Sequence, residues 1–348
     1  MLNKKSIVGN SRAGANQHND IWAQRDAAHN HNMALNQMAN DPRISINAGL
    51  VPRDVYQEMD TVTIERIKSD EGDVLLNDLM PLSKAINLGK LTHRTRTASD
   101  SGIAQTSISG QTGVKMDQVE FDYDGSIVPV HDVGYYREWR EMLAMSSEGF
   151  DALIDDTRES ASTMRRHLVS QFLDGHRDKN GNLITIDGVN YAGVRNDSRV
   201  ANVPLTFDYT DNQVSGEDIK REFIDLRNVL YIDNNCEQDA YWYISREIMA
   251  NLERRFSQQY DAKTIQQELS GLMGVAGIKV TSALTGNEIL AFPHDSNRIR
   301  PVVGMAINTV AMPRQAYNSR YEFSMWGAIG YEIRPDFANR TCVLYASS

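Results

Sequence analysis

Between Ser146 and Asp174 one apolar stripe runs without interruption. Phe150, Leu153, Ile154, Thr157, Ala161, Met164, Leu168 and Phe172 fall at three- and four-residue steps. Ser146 or Ser147 can cap its start, Glu148 and Asp151 sit in the first turns, Arg165, Arg166 and His167 lie toward the end, and Gly175 follows as the stop. The spacing predicts a helix over 146–174, roughly 43 Å long at about 1.5 Å per residue. That is long for a compact domain in a chain of 348 residues, so the fold has to be organised around it.

The segment ahead of the stripe cannot form a core. From Thr92 to Thr112 the sequence THRTRTASDSGIAQTSISGQT holds nine Ser or Thr, Arg94 and Arg96, and only Ile103 and Ile108 as large apolar groups. Strand signals flank it. Leu88 to Thr97 reads as a half-buried strand; Val119, Phe121 and Tyr123 alternate, Asp124-Gly125 reads as a turn, and Val128 and Val130 continue the pattern. The expectation is a long two-stranded ribbon with a polar tip, and such a ribbon is only marginally stable alone in water. Earlier, Val62 and Ile64 alternate with Thr61, Thr63 and Glu65 as a strand over 62–67, closed by the turn-like Asp70-Glu71-Gly72-Asp73.

Residues 1 to about 48 hold nine Asn and three of the eight His, with apolar residues too scattered for a core stripe. This composition predicts an arm, within which Ile21 to Met38 can become helical against a partner. Overall the hydrophobic residues make up 41% and the charged residues 24%. Those proportions exclude a collagen-like chain, a wholly disordered chain and a polytopic membrane protein. The N-terminus has no apolar stretch of a secretory signal. Cys236 and Cys342 are too few for a disulfide framework or a Cys-based zinc cage, and are expected as small buried hydrophobes in a reducing compartment. Lys+Arg 36 against Asp+Glu 46 gives −10, so there is no global attraction for nucleic acid or anionic lipid. The first 50 residues nevertheless carry five basic and three acidic groups, a local +2.

After the long helix, Asn180-Gly181 marks a hairpin turn. From Ser215 the pattern becomes α/β. Ser215 and Asp218 begin a capping box ahead of the face Ile219, Phe223, Leu226 and Leu230. Strands are expected at 240–245, 278–283, 289–293 and 302–312, and helices at 246–256 and 264–273. Tyr321, Phe323 and Met325, then Ile329, Tyr331 and Ile333, alternate as two strands, and 341–345 closes the chain as another.

A search for chemistry finds little. The P-loop, G-x-S-x-G and H-E-x-x-H patterns are absent from the sequence. Gly271, Gly274 and Gly277 follow a helix where a dinucleotide fingerprint needs a strand, so they read as a loop. His18, His29 and His31 lack a carboxylate or Cys partner for a metal. Asp178 to Asn182 has its Gly one position early for a calcium loop and reads as a turn. Asp122 and Asp124 fall on the solvent side of a strand, and Tyr241, Trp242 and Tyr243 read as core. Arg94 and Arg96 share one strand face and, given the net charge, are expected to meet carboxylates of a neighbouring subunit.

The order of parts is polar arm, ribbon, long helix, hairpin region, α/β lobe and returning strands. With the passage IVPVHDVGYYREWREM (Ile127 to Met142) and the ending YEFSMWGAIGYEIRPDFANRTCVLYAS (Tyr321 to Ser347), it resembles the major capsid proteins of tailed bacteriophages, whose fold is shared with encapsulins. The resemblance implies an α+β fold divided into an N-terminal arm (1–54), an extended loop with flanking strands (55–134), a peripheral domain with a spine helix (135–214), an axial domain (215–312) and closing peripheral strands (313–348). It implies a non-enzymatic shell subunit without cofactors, assembled into hexamers and pentamers in the virion capsid after synthesis in the host cytoplasm. Its implied partners are further copies of itself, a separate scaffolding protein, a portal protein, packaged DNA touched non-specifically and, optionally, a decoration protein, with no membrane. Arg94, Arg96, Ile103 and Ile108 are the expected intersubunit contacts. Some members join a loop Lys to an Asn of a neighbour; Lys68, Lys84, Lys90 and Asn339 lie in the corresponding regions, but no motif links them.

An uncovered arm, ribbon and long helix leave hydrogen bonds and apolar area unsatisfied unless copies of the chain cover them. Two other readings stay open: an encapsulin-type compartment holding cargo protein, and an α/β enzyme with an appended ribbon.

Overall fold

The structure is a computed structural model and describes residues 73–348 except 107, 109–112, 114–115, 149–151 and 258–262. The expectations for the arm, for 21–38, for the strand over 62–67 with most of its turn, and for Lys68 lie outside the described residues. The chain divides into two compact units, Met1–Glu65 with Trp139–Ala152, and Arg66–Glu138 with Leu153–Ser348. In the first, the described part is one helix.

In chain order the elements are α1 (Asp73–Leu79), β1 (Lys84–Ala85), β2 (Thr92–Ala98), β3 (Phe121–Ile127), β4 (Val130–Arg137), α2 (Trp139–Glu148), α3 (Ala152–Asp174), β5 (Thr185–Ile186), β6 (Val189–Asn190) and β7 (Ala201–Pro204). There follow α4 (Gly216–Asn228), β8 (Ala240–Ile244), α5 (Arg246–Leu252), α6 (Ile265–Ser270), β9 (Val275–Val280), β10 (Glu288–Phe292), β11 (Ile299–Ala311), β12 (Tyr321–Ile333) and β13 (Leu344–Ser347). One sheet has the order β1-β11-β12-β4 and another β7-β13-β10-β8-β9, while β2-β3 and β5-β6 form separate two-stranded pieces.

The five-stranded sheet is buried on both faces, and the period of two in its strands decides which residue goes where. Trp242, Ile244, Ile289, Ala291, Leu344 and Ala346 face one way, against Ile219, Phe223 and Leu226 of α4, Ile248 and Leu252 of α5, and Ile265 and Leu269 of α6. Tyr243, Leu290, Phe292, Val343 and Tyr345 face the other way, against Leu75 and Leu79 of α1 and Met164, Leu168 and Phe172 of α3. The α3 stripe also meets Met325, Ile329 and Ile333 of the four-stranded sheet. It therefore joins the two sheets, which is why it needs a long apolar edge. Gly175 ends α3 with φ 69°, the left-handed stop its position predicts. The Ser215 cap forms as expected, its hydroxyl accepting from Asp218 N at 3.1 Å.

Several local expectations are corrected. Helix begins at Trp139, directly after β4, so Ser146 and Ser147 lie inside α2 and not at a helix start. The helical residues ahead of Ser146 escape the stripe reading because that reading tracked one continuous face. Asp124-Gly125 is not a turn but part of β3, opposite Thr95 and Arg94. Asp124 is half-buried and accepts from Arg199, so it is not a solvated carboxylate. Tyr321–Ile333 is one strand of 13 residues, not two. Gly330 makes this possible: a Cβ there would sit 2.2 Å from the Ile127 carbonyl oxygen, so only glycine lets β12 pass under the end of β3.

The strands also cross the expected lobe boundaries. β11, grouped by sequence with the α/β lobe, pairs antiparallel with β12. The chain's last strand, grouped with the closing strands, lies between β7 and β10 in the other sheet. Cys236 and Cys342 are buried as expected but are joined in a disulfide, which corrects their reading as small buried hydrophobes in a reducing compartment. The fold brings the loop before β8 beside the entry to β13, a proximity invisible across a separation of 106 residues.

Candidate assembly surface

Much of the ribbon's side-chain surface is left to water. β2 and β3 pair antiparallel from Thr92 opposite Ile127 to Ala98 opposite Phe121. Beyond them Ser99 N donates to Glu120 O at 2.9 Å and Glu120 N donates to Ser99 Oγ at 2.9 Å, so the pairing continues for one more step. Gly102 N then reaches Asp117 Oδ2 at 3.2 Å. Past that point large apolar groups stand in solvent: Ile103 is 75% exposed, Met116 93%, and Ile108 fully. Isolated exposed apolar residues are ordinary; three on one polar tip make that tip a candidate contact surface.

The root of the ribbon is anchored by charge. Glu332 of β12, 1% exposed, accepts from Arg300 Nε at 2.7 Å and pairs with His93 Nδ1 at 3.0 Å. Lys84 Nζ lies 3.3 Å from His93 Nε2 and can only donate, so Nε2 accepts and the proton sits on Nδ1, facing Glu332. Arg199 bridges Asp124 of β3 to Asp197. Burial works against the Arg199 charge, but its bonds to these carboxylates prevail and hold its pKa above the ordinary value. The ribbon thus has a fixed base and a bare end.

The four residues singled out from sequence separate into two pairs. Arg94 folds back onto its own chain, with Nη2 donating to Asp187 O at 2.5 Å, and so helps fix the root. Arg96 lies over the Phe121 ring at 4.5 Å on the exposed stretch. Ile103 and Ile108 lie on the bare tip. Sequence reasoning missed Met116, in the segment that leads back into β3, and a second uncovered surface at the far end of β11 and β12. There Val310, Met312 and Tyr317 are exposed, and Arg314 stacks on Tyr321 at 4.0 Å. Continued apolar alternation past the last buried residue of β11 is the signal that could have found it.

Among the described residues there is no grouping of three or more His, Cys, Asp or Glu side chains able to hold a metal ion. Asp178 Oδ1 accepts from Asn180 N at 2.8 Å and Asn182 N at 2.9 Å, closing a turn as the sequence suggested. Gly271 and Gly274 form the loop between α6 and β9, and Gly277 lies in β9. Among the described residues no helix is long and apolar enough to cross a membrane.

Comparison with known proteins fits this geometry. The model of a Family of unknown function (DUF6260) matches residues 45–346. No curated protein matches the sequence. Among solved structures, the chain is similar to the capsid of Myoviridae phage XM1, with TM-score 0.64 and 10% identity over 86% of this chain and 99% of that one. It is also similar to the capsid of a native GTA particle (TM-score 0.55, 11% identity, 89% of this chain and 100% of that one). A structure of Mycobacterium phage Ogopogo gives TM-score 0.54 at 12% identity, over 86% of this chain and 100% of that one. The α+β fold expected from the order of parts, that of phage capsid proteins, is the fold of this chain.

Proposed function

The chain belongs to the Family of unknown function (DUF6260), and on its fold and its uncovered ribbon we propose that it is a structural subunit of an icosahedral shell, that of a tailed bacteriophage enclosing double-stranded DNA. The observation that carries this reading is the ribbon: anchored at Glu332 and Arg199, it leaves Ile103, Ile108 and Met116 largely uncovered by the described residues. Head-to-tail contacts of that kind between copies close into rings, and rings can tile a shell. The role is architectural, without a reaction to catalyse.

In this reading residues 1–54 are the arm, 55–134 the extended loop, 135–214 the peripheral domain with α3 as its spine, 215–312 the axial domain and 313–348 the closing segment. β11 and β13 are exchanged between the last two segments, following their sheets. Arg96, Ile103 and Ile108 touch a neighbouring copy, while Arg94 supports them from the root. The partners are the chain itself in hexamers and pentamers, a separate scaffolding protein, a portal, packaged DNA and optionally a decoration protein. The chain is made in the host cytoplasm and ends in the virion.

Negative-stain microscopy and light scattering of the full-length protein, alone and co-expressed with a scaffolding protein, test the proposal. Shells are expected, and with a net charge of −10 per copy their yield rises with added salt as repulsion is screened. Monomers alone at every salt concentration would refute it, and shells filled with an enzyme in place of nucleic acid would turn it to the cargo-compartment reading.

A further inference from the structure

Behind the root of the ribbon lies a cleft of about 400 Å³, bounded by the β3–β4 connection, β4, α3 and the β5–β6 hairpin. Three histidines line it: His131 from β4, His167 from α3 and His176 from the segment after α3. The sequence gives no hint of this convergence, since the three lie in different elements with no shared spacing. His131 is buried, and its Nε2 lies 3.0 Å from Ile329 O of β12. A carbonyl only accepts, so Nε2 carries the proton and Nδ1 a lone pair. That lone pair faces His167 Nε2 at 3.2 Å, with the rings edge-on and their centroids 5.0 Å apart. The hydrogen bond from His167 to His131 therefore ties the spine helix to β4, and through Ile329 to β12.

We infer that the His131–His167 pair is an acid-sensitive latch holding α3 against β4 at the base of the ribbon. The neutral pair has one proton between the facing nitrogens. A first added proton is accommodated, because His167 can shift its own proton to Nδ1 and accept from the new His131 Nδ1–H. A second leaves two N–H groups aimed at each other across 3.2 Å, each on a cation, and the bond becomes a repulsion. The surroundings offer little relief. Asp132 beside His131 is the one carboxylate lining the cleft, His176 adds a third imidazole, Tyr191 faces in from the hairpin, and β12 contributes only a main-chain carbonyl to His131. Arg166 of α3 lines a different cleft with Asp174 and Arg195.

Burial lowers the pKa of both His131 and His167 below 6.5; the Ile329 carbonyl opposes it at His131, neighbouring histidines push the same way as burial, and Asp132 opposes at both. The sign follows. The opened form binds protons more readily than the closed one, so the latch is at full strength above pH 6.5 and loses strength as pH falls below it.

Hydrogen–deuterium exchange of the full-length protein at pH 7.5 and 5.0, corrected for the intrinsic pH dependence of exchange, tests this. Acidification is expected to speed exchange in 130–137 and 164–174 severalfold relative to the rest of the chain, as the pair gives up its hydrogen bond. β8 and β10 should keep their protection. His167→Gln should abolish most of the response. An equal response in H167Q, or a wild-type change spread evenly over the chain, overturns the inference. The wild-type comparison stands even if the variant does not fold. The latch lies within one chain, so the result is independent of whether shells form.

Discussion

Cys236, in the loop before β8, is disulfide-bonded to Cys342 at the entry to β13, with Cα atoms 5.4 Å apart across 106 positions of sequence. Both sulfurs are buried and the bond ties the chain's last strand to the α/β lobe. Closing so long a loop stabilises the fold by roughly 2–5 kcal/mol in chain-entropy terms. Reduction under mildly denaturing conditions is expected to lower the melting temperature by several degrees, and Cys342→Ser should remove that sensitivity. A thermal melt with and without dithiothreitol decides it; identical curves would mean the thiols are free in solution.

Glu332 is the single carboxylate that receives both His93 and Arg300. Replacing it with alanine leaves the half of the pair on Arg300 uncompensated in a nearly dry site, a change worth about 3–5 kcal/mol. Urea unfolding of Glu332→Ala should show that loss, and proteolysis within 92–127 should accelerate because the ribbon root is released.

Ile103 and Ile108 stand largely in solvent in the single chain. Changing both to serine should leave the melting temperature of unassembled protein within about 0.5 kcal/mol of the parent in stability terms. Assembly is expected to be lost or strongly reduced. Light scattering reads the second effect and circular dichroism the first; undiminished assembly would remove the ribbon tip from the contact.

Glu268 of α6 is held below its ordinary 4.5 first by hydrogen bonds from Lys220 and then from Lys263, against a small opposing effect of burial. Its contribution is present above pH 4.5 and is lost as pH falls through the lowered value. Glu268→Gln should therefore flatten stability between pH 5 and 3 without affecting the window below 6.5 that belongs to the histidine pair. Melting temperatures measured in half-unit pH steps separate the two.

Local signals were legible where one residue's neighbours in sequence are also its neighbours in space. The Ser215 cap with the Ile219, Phe223 and Leu226 face, the Gly175 stop and the apolar run at Trp242 all depend on spacing of two to four residues, and all stand in the structure. The start of helix at Trp139 was missed because α2 does not continue the stripe of α3. Asp124-Gly125 was misread because a turn dipeptide is also tolerated in a strand whose glycine faces close neighbours. At the assembly surface, Ile103 and Ile108 stood out as apolar groups in a polar segment, whereas the role of Arg94 depends on Asp187, 93 positions away.

By itself the sequence determined many of the elements and their order, though not α1, α2 or the unity of β12, because hydrophobic period, caps and stops act over a turn or a strand. It also determined that a polar segment with two isoleucines could find no core of its own. Only the tertiary structure decided that β11 and β13 change sheets, that Cys236 meets Cys342, that Glu332 pins the ribbon and that His131 faces His167. Each of these joins residues through chain closure over tens to hundreds of positions, and such meetings are selected by how whole sheets and helices pack rather than by any local preference.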